Sequence, residues 1–390
     1  MKVLHVIPSV SAVHGGPSRA IATIEAALAS AGVAITTVTT DDDGPGRRLA
    51  GDAQPATANG ADRVYARKQL EFYKLAPAIV PWLWRNMRKF DIVHIHALFS
   101  FTSLCAGRIA RMHRVPYVVR PLGTLSAYGV TRRRPWLKRG SLALLERPLL
   151  RRAAAVHFTS DAEQEEARAL GVRCNGAVVP LAVEGLDALA ALPVRCERRP
   201  RRSSPLILFL SRLDPKKNLE SLLQAYADLL HTHPNARLAI AGDGLPAYVA
   251  SLHQLAGRLG IDRGVTWHGH VDGAEKTALF ASADMFVLPS FSENFGIAAA
   301  EALAAGVPCI LSQGVAIAEP AARAGGALVV APEAEAVRQA LMRLLDDADL
   351  RRLMAVRARS HAEELYSATT MARRLIALYT AILADGKIAA

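Results

Sequence analysis

Short apolar segments alternate with longer amphipathic stretches along this chain, and the alternation occurs twice. Apolar segments of a few residues are typical of buried strands, and apolar residues at every third or fourth position are typical of helices that pack on a sheet. Strands that alternate with helices form βαβ units and parallel sheets. The predicted strands are Val3–Ile7, Ala34–Thr39, Ile92–Ile95, Tyr117–Val119 and Val156–Thr159, followed by Leu206–Leu210, Arg237–Ala241, Val265–His268, Met285–Leu288 and Pro308–Leu311. The pattern therefore predicts an α/β protein with two parallel sheets.

The segment between the two series of strands, Pro193–Pro205, is rich in Pro, Arg and Ser, as expected of a linker. We therefore predict a first domain over residues 1–195 and a second over residues 203–368. A final helix near residues 369–384 could pack on either domain, including back on the first. A chain of 390 residues, 51% of them hydrophobic, is large enough to bury two cores.

Composition indicates a cytoplasmic protein in a reducing compartment. The chain has no run of eighteen uncharged apolar residues, and Met1–Val10 alternates like a strand instead of forming the apolar region of a signal peptide. The four cysteines are scattered, without a CxxC pair or a histidine at ligand spacing. This spacing argues against both a disulfide framework and a zinc site.

The net charge of +12 is concentrated in the first half of the chain. Residues 1–202 contain 30 Lys and Arg against 16 Asp and Glu, whereas residues 203–390 contain 17 against 19. The densest stretch runs from Arg132 to Arg139 and continues to Arg152 around several leucines and Trp136. Such a segment suits an anionic membrane surface, and a solvated helix accounts for it equally well. Nucleic acid is disfavoured because no helix-turn-helix, RNA-binding sheet signature or zinc finger accompanies the charge.

A glycine-containing loop follows the first predicted strand. It holds Gly15-Gly16-Pro17-Ser18 and leads into a predicted helix from Arg19 to Leu28. Glycines let a backbone approach a ligand, and a helix N-terminus favours a phosphate. The GxGxxG fingerprint is absent, so a tight turn that merely starts a helix accounts for the loop as well.

A basic loop opens the second series of strands. Arg212 directly follows the predicted strand Leu206–Leu210, and Lys217 lies five residues later at the start of a helix. Ligands bind at the carboxyl edge of parallel sheets, where two cations can hold a diphosphate and stabilise it as a leaving group. A lysine-rich helix start is the structural alternative.

Two carboxylates stand in the otherwise uncharged residues 289–308. Glu293 lies in the loop after a predicted strand, and Glu301 lies in a helix of small residues. If that helix starts near Phe295, both carboxylates can face the same side. A carboxylate on a helix lined by alanine destabilises the fold unless a polar group engages it, which favours a functional role for Glu301.

Taken in order, these features resemble those of the retaining GT-B glycosyltransferases of family four. The similarity rests on Arg212 and Lys217, the turn Ala241–Gly244, the loop His268–Val271 and the Glu293/Glu301 pair, and it is weaker over residues 1–180. It implies two Rossmann-like domains whose parallel sheets face each other across a cleft. It also implies retaining transfer of a hexose from a nucleotide-sugar donor to a glycan acceptor, such as a lipid-linked glycan, in cell-surface polysaccharide synthesis.

The resemblance also implies roles for individual residues. Arg212 and Lys217 would hold the donor diphosphate, Glu293 would contact the transferred sugar, and Glu301 would bind the ribose hydroxyls. Further donor contacts would come from Gly15, Gly16, Gly269, His270, Val271, Asn294, Phe295, Gly296 and Ile297. The site would then act by positioning and electrostatics, without a cofactor.

One departure concerns the acceptor side. Many relatives carry a histidine after the strand that corresponds to Tyr117–Val119, whereas this chain has Arg120-Pro121-Leu122-Gly123. His96 and Arg120 are therefore candidates for the acceptor side, and a satisfied strand-end histidine is the alternative for His96. The expected partners are the donor, the acceptor and the inner membrane surface, without nucleic acid.

Asp41-Asp42-Asp43 invites a different interpretation, as a metal-binding carboxylate cluster. The three residues follow a predicted strand and lead into Gly44-Pro45-Gly46, so we expect an exposed turn and no metal.

Three other functions stay open on the sequence alone. A nicotinamide dehydrogenase would need the missing GxGxxG fingerprint. A GT-B nucleotide-sugar epimerase would share the donor site, and product analysis would separate it. The last alternative is a non-catalytic nucleotide-binding protein. A non-catalytic or nucleic-acid-binding protein would account for the charge but not for Arg212, Lys217, Glu293 and Glu301 together.

Overall fold

The computed structural model describes residues 1–49, 56–125, 140–193 and 204–388, and the side chains up to residue 385. The chain divides into two compact units. Unit 1 comprises Met1–Ala182 together with Ala368–Ala390, and unit 2 comprises Val183–Ser367. Of the predicted linker, residues 194–203 lie outside the described residues.

Unit 1 contains an eight-stranded sheet in the order β3-β4-β2-β1-β5-β6-β7-β8. All neighbouring strands are parallel except β3 and β4, which are antiparallel. The strands are β1 (Lys2–Val6), β2 (Ala34–Thr40), β3 (Ala56–Ala58), β4 (Ala61–Ala66), β5 (Ile92–His96), β6 (Tyr117–Arg120), β7 (Ala155–Phe158) and β8 (Gly176–Val178).

Helices connect these strands, as the apolar periodicity predicts. They are α1 (Gly16–Ser30), α2 (Ile79–Asn86), α3 (Phe101–Met112), α4 (Arg147–Arg151), which follows a π-helical turn at Leu142–Glu146, and α5 (Asp161–Ala169). Short 3-10 turns lie at Ala12–His14, Phe72–Lys74 and Met87–Lys89. The sheet and the helices enclose an apolar core that includes Leu4, Val93 and Val119.

Unit 2 contains a six-stranded, fully parallel sheet in the order β11-β10-β9-β12-β13-β14. Its strands are β9 (Leu206–Leu210), β10 (Arg237–Ala241), β11 (Val265–Gly269), β12 (Met285–Leu288), β13 (Cys309–Ser312) and β14 (Ala327–Val330). Its helices are α6 (Leu186–Ala190), α7 (Leu219–Leu229), α8 (Pro246–Arg258), α9 (Gly273–Ser282), α10 (Ile297–Ala304), α11 (Ala318–Arg323), α12 (Ala334–Asp346) and α13 (Ala348–Tyr366), with 3-10 turns at Pro215–Lys217 and Asp262–Gly264.

The last helix, α14 (Ala368–Ile388), belongs to unit 1 and packs against α1. Its Tyr379 is fully buried, and the hydroxyl lies 2.7 Å from Nδ1 of His94 on β5. Helix α14 therefore joins a distant part of the sequence to the core of the first sheet.

The predicted α/β class with two parallel sheets is confirmed, and all ten predicted strands are present. The pattern missed β3, β4, β8 and β14. Strands β3 and β8 have three residues each, β4 carries Asp62 and Arg63, and β14 is a half-buried edge strand. Strands of three residues and strands with charged residues lack the apolar run that marks a buried strand, whereas β14 has such a run, Ala-Leu-Val-Val, and could have been predicted.

Candidate functional site

Three neighbouring strands of unit 2 bring the predicted donor residues to one edge of the sheet. Strands β10, β9 and β12 lie side by side and are parallel, so their carboxyl ends share one edge. Arg212 and Lys217 follow β9, and Glu293 follows β12. Open α/β sheets bind ligands at this edge.

The glycine turn after β10 supports the segment that carries Arg212. Leu213 donates its backbone N–H to the carbonyl of Asp243 at 2.7 Å. A Cβ at Gly242 would lie 1.8 Å from the Ser211 carbonyl oxygen, and one at Gly244 would lie 2.1 Å from that of Leu213. Only glycine permits the loop after β10 to approach the loop after β9 so closely. The Arg212 side chain is exposed.

Lys217 is the buried cation of this edge. It ends a 3-10 turn that Asp214 caps, and 8% of its surface is exposed. Burial lowers the pKa of Lys217 to about 7, and the neighbouring cations Lys216 and Arg212 act in the same direction. The Asp214 carboxylate acts in the opposite direction. The Lys217 ammonium also contacts the carboxylate of Glu293. A bound anion would favour the charged form in the same way.

The backbone of Glu293 is fixed from both sides. Its N–H donates to the carbonyl of Gly314 at 2.7 Å, and its own carbonyl accepts from the N–H of Ala316 at 3.1 Å. A Cβ at Gly314 would lie 2.4 Å from the Phe291 carbonyl oxygen, so glycine is required for this pairing. The loop after β12 therefore holds Glu293 against Lys217.

Glu301 lies in the second turn of α10, as predicted, and is 4% exposed. Its carboxylate accepts a hydrogen bond from Nζ of Lys276 on α9 at 2.7 Å. The polar group that a buried carboxylate requires is thus Lys276. Lys276 was missed by sequence reasoning, because a single lysine on a surface helix carries no distinguishing pattern.

The remaining donor candidates of unit 2 lie beside these residues along the chain. Gly296 has a φ of 93° and precedes the first turn of α10, so Asn294 and Phe295 form the approach to a helix N-terminus and Ile297 is its first residue. Gly269 ends β11, and its carbonyl accepts from the N–H of Gly242 at 2.6 Å. Beyond it, His270 is exposed and Val271 is buried.

In unit 1, Gly15 and Gly16 start α1. Gly15 has a φ of 65° and caps the helix, and Gly16 is the first helical residue. A Cβ at Gly15 would meet no heavy atom within 4 Å, so the backbone there is open. The helix begins three residues before the predicted start at Arg19, because Pro17 is compatible with a first turn.

His96 and Arg120 end the neighbouring strands β5 and β6. Both are buried, with 0% and 2% of their surfaces exposed. Among the described residues, Nδ1 of His96 and the Nε and one Nη of Arg120 have no hydrogen-bond partner. Burial lowers the pKa of the Arg120 guanidinium to about 10. The two residues therefore meet in the interior of unit 1.

Comparison with known proteins identifies the family. Residues 196–361 match the model for glycosyl transferases group 1, and residues 15–182 match the model for a glycosyl transferase 4-like domain. The two matched regions together cover most of the chain. The chain belongs to the group 1 glycosyltransferase family.

Curated relatives agree with this assignment. The chain is 37% identical to a D-inositol 3-phosphate glycosyltransferase of Streptomyces griseus over 188 residues, which are 46% of this chain and 39% of the relative. It is 34% identical to an uncharacterised glycosyltransferase of Methanocaldococcus jannaschii over 176 residues, 45% of this chain and 44% of the relative. The matches thus span less than half the length of these two relatives. A D-inositol 3-phosphate glycosyltransferase of Corynebacterium urealyticum is 28% identical over 314 residues, 75% of this chain and 72% of the relative.

Solved structures share the fold. Sucrose-phosphate synthase from Thermosynechococcus elongatus superimposes with a TM-score of 0.75 at 18% identity and covers 99% of this chain and 100% of its own. Anabaena HepE, solved in complex with UDP, gives a TM-score of 0.77 at 18% identity over 98% of this chain and 100% of its own. The predicted GT-B class of this group 1 glycosyltransferase is thereby confirmed.

The interpretation of Asp41–Asp43 as an exposed turn is wrong. In this group 1 glycosyltransferase Asp42 is fully buried and Asp41 is 9% exposed. Asp42 contacts Lys68, Lys74 and His14, the last two at 2.9 Å. Burial would raise the pKa of Asp42, but hydrogen bonds from Lys68 and Lys74 hold it below the usual value. The sequence gives no signal for these partners, because the two lysines lie about thirty residues away.

The described residues contain one group of side chains that could hold a metal ion. His5, His94 and His96 are fully buried on β1 and β5 and present nitrogen atoms within 4.8 Å of one another. Burial lowers the pKa of each, so the rings are neutral, as metal ligands must be. The His94 and His96 rings, however, are stacked with centroids 4.2 Å apart. Stacked rings do not direct their nitrogens at one point, and the adjacent Arg120 charge opposes a cation.

Neither a disulfide bond nor a membrane-spanning helix is found among the described residues. Cys105, Cys174 and Cys309 are free thiols, and Cys196 lies outside these residues. Within the described part of the chain, no helix combines the length and the apolar character needed to cross a bilayer. The basic segment Arg132–Arg139 also lies outside the described residues.

Proposed function

We propose that this protein transfers a hexose from a nucleotide-diphosphate sugar to a hydroxyl group of a glycan acceptor, with retention of anomeric configuration. The observation that carries the proposal is the buried Lys217 at the carboxyl edge of the second sheet, beside Arg212 and in contact with Glu293. A buried ammonium group beside a second cation favours the binding of an anion at this edge.

Arg212 and Lys217 supply the electrostatic part of the reaction. The bond between the anomeric carbon and the diphosphate breaks, and negative charge develops on the departing diphosphate. Two cations at the sheet edge, together with the N-terminus of α10, stabilise this charge, so we expect no metal requirement. Anabaena HepE, which shares the fold, has also been solved in complex with UDP-glucose, and this supports a nucleotide-sugar donor.

Glu293 and Glu301 supply positioning. Glu301, held by Lys276 at 2.7 Å, binds the ribose hydroxyls, and Glu293 contacts the transferred sugar. The acceptor oxygen bonds to the anomeric carbon from the face that the diphosphate leaves, and its proton passes to the departing diphosphate, so holding both groups on one face replaces a covalent intermediate. Relatives named as inositol phosphate glycosyltransferases and as a phosphatidylinositol monomannoside mannosyltransferase support a polar or lipid-linked acceptor. We propose a role in cell-surface polysaccharide synthesis at the inner face of the cytoplasmic membrane.

Donor hydrolysis tests this function without knowledge of the acceptor. The protein is incubated with UDP-, GDP- and ADP-hexoses, and release of free sugar and nucleoside diphosphate is followed, with the anomer of the released sugar determined by NMR. We expect slow hydrolysis of one donor with retention, and thermal stabilisation by the matching nucleoside diphosphate but not by NAD. Conversion of the donor into an epimer would assign an epimerase instead. Stabilisation by nucleotide without turnover of any donor would leave a non-catalytic binding protein.

A further inference from the structure

Helices α2 and α3 form an exposed surface on unit 1. The two helices pack against each other, and each turns one side to the core: Leu83 and Met87 are fully buried below α2, and Ala106 and Ala110 below α3. The opposite sides of both helices are solvent-exposed. Their composition is therefore not determined by packing.

The exposed side is strongly cationic. Arg85, Arg88 and Lys89 lie on α2 and the turn that follows it, and Arg108 and Arg111 lie on α3; all five are exposed. Residues 79–114 contain only one acidic residue, Asp91. Its carboxylate accepts the backbone N–H of Lys2 at 2.7 Å, so it is engaged with β1. Cations at this density, with a single carboxylate in the same segment, repel one another and imply an anionic partner.

Two large apolar side chains accompany the cations. Trp84 is 49% exposed and Met112 is 59% exposed. The Trp84 ring contacts the ring of His113 edge-on, with centroids 4.7 Å apart. Trp84 on α2 therefore lies beside the end of α3, where His113 directly follows Met112 in the sequence. We call the exposed set Trp84, Arg85, Arg88, Lys89, Arg108, Arg111 and Met112 the α2–α3 basic face.

The cationic surface extends beyond the two helices. Burial raises the pKa of Tyr117 to about 12, and Arg152 and Arg111 both act on its hydroxyl in the opposite direction. Arg152, just beyond α4, and Arg111 of the α2–α3 basic face thus both act on the hydroxyl of Tyr117. The exposed side chains of Leu144 and Leu145 precede α4.

We propose that the α2–α3 basic face docks unit 1 on an anionic lipid surface. The inference deepens the proposed function and rests on it for the presence of a lipid-linked acceptor. Lysine and arginine side chains bind anionic headgroups electrostatically, while an exposed Trp partitions into the interface between headgroups and acyl chains. The proposed contact lies on α2 and α3, whereas the sequence alone favours the segment Arg132–Arg152 as a membrane surface or, equally, as a solvated face.

The apolar component favours lipid over nucleic acid. Nucleic acid would be held by the cations alone, because readout of bases requires an element that enters a groove or stacks on bases in a basic channel. The ring of Trp84 contacts His113 and lies among exposed arginines, which suits an interfacial anchor. A binding mode with both components loses only its electrostatic part in salt.

Co-sedimentation with liposomes tests the proposal. The full chain is mixed with vesicles of phosphatidylcholine and phosphatidylglycerol, or of phosphatidylcholine alone, at low and high salt. Each cation is expected to contribute about fivefold to partitioning, so the triple variant Arg85→Gln, Arg88→Gln, Lys89→Gln should bind anionic vesicles on the order of 100-fold more weakly. Trp84→Ala should weaken the binding that persists in high salt.

Matched controls separate this surface from net charge and from the other basic segment. The variant Arg258→Gln, Arg263→Gln, Arg352→Gln removes the same charge from exposed positions of unit 2 and should bind like the wild type. Donor hydrolysis in detergent-free solution confirms that all variants fold, and it reports on the proposed function independently of membranes. The proposal is overturned if both triple variants bind equally, if only replacement of Arg132, Arg133, Arg134, Lys138 and Arg139 removes binding, or if the wild type binds nucleic acid and no vesicle.

Discussion

Replacement of Glu301 by Gln removes one charge at the proposed ribose site and leaves the packing nearly unchanged. Glu301 is 4% exposed and lies 2.7 Å from Nζ of Lys276. The amide oxygen of Gln can still accept the hydrogen bond from Lys276, so the lysine keeps a partner. The substitution therefore isolates the carboxylate charge from the shape of the side chain.

The expected loss follows from the hydrogen bonds that a carboxylate makes to ribose hydroxyls. A hydrogen bond to a charged group contributes about 1.5–3 kcal/mol, which corresponds to a decrease in kcat/KM of roughly 10- to 150-fold. The Lys276 ammonium already binds the Glu301 carboxylate, which weakens the hydrogen bonds that this carboxylate makes to the ribose. We therefore expect a decrease in kcat/KM towards the lower end of this range.

The assay is donor hydrolysis, with kcat and KM determined separately and the melting temperature measured in parallel. Glu275→Gln is the matched control, because Glu275 is an exposed neighbour of Lys276 and the substitution removes the same charge from α9. The control should have normal turnover. A second readout compares binding of the nucleoside diphosphate with that of its 2′,3′-dideoxy analogue, which lacks the hydroxyls in question.

Near-normal turnover of Glu301→Gln would refute the assignment of Glu301 to the donor. So would a variant that still discriminates between the ribose and dideoxyribose ligands as strongly as the wild type does. If the melting temperature falls together with activity, the comparison of the two ligands shows whether Glu301 contacts the ribose. A purely structural defect would weaken binding of the nucleoside diphosphate and of its dideoxy analogue alike.

Three further predictions concern the cations. Arg212→Ala or Lys217→Ala should weaken binding of nucleoside diphosphate far more than that of nucleoside, and equal losses in calorimetry would indicate a structural role. Because Lys217 has a pKa of about 7, affinity for the diphosphate should fall as pH rises from neutral to 9, and Lys217→Arg, which stays charged, should remove this dependence. Activity should survive EDTA, since cations and a helix N-terminus neutralise the leaving group; complete loss restored by magnesium would contradict this.

The elements of the fold that could be predicted are those whose burial on both faces leaves an apolar run. Strands β9, β10, β12 and β13 are of this kind, and their carboxyl ends mark where ligand-binding residues must lie. Arg212, Lys217 and Glu293 could therefore be grouped from order along the chain alone. The parallel arrangement of β10, β9 and β12 does bring these residues to one sheet edge.

The partners of the charged residues could not be predicted, because pairing depends on tertiary packing between distant segments. Lys276 pairs with Glu301 across two helices, and Lys68 and Lys74 neutralise Asp42 from a loop that precedes α2. The buried histidines show the same limit: His94 meets Tyr379 of α14, which lies 285 residues further along the chain. Order along the chain therefore predicts an exposed turn at Asp41–Asp43, whereas the structure buries Asp42 against Lys68 and Lys74.

The ion pair between Lys217 and Glu293 links two steps of the proposed reaction. Each group satisfies the other in the structure, so neither is left as an isolated charge at a largely buried position. A diphosphate carries more negative charge than a single carboxylate and would compete for the same ammonium. If Lys217 binds the diphosphate as proposed, Glu293 is released from it and can accept hydrogen bonds from the sugar attached to that diphosphate. The contact between Lys217 and Glu293 would then couple donor binding to the positioning of the sugar.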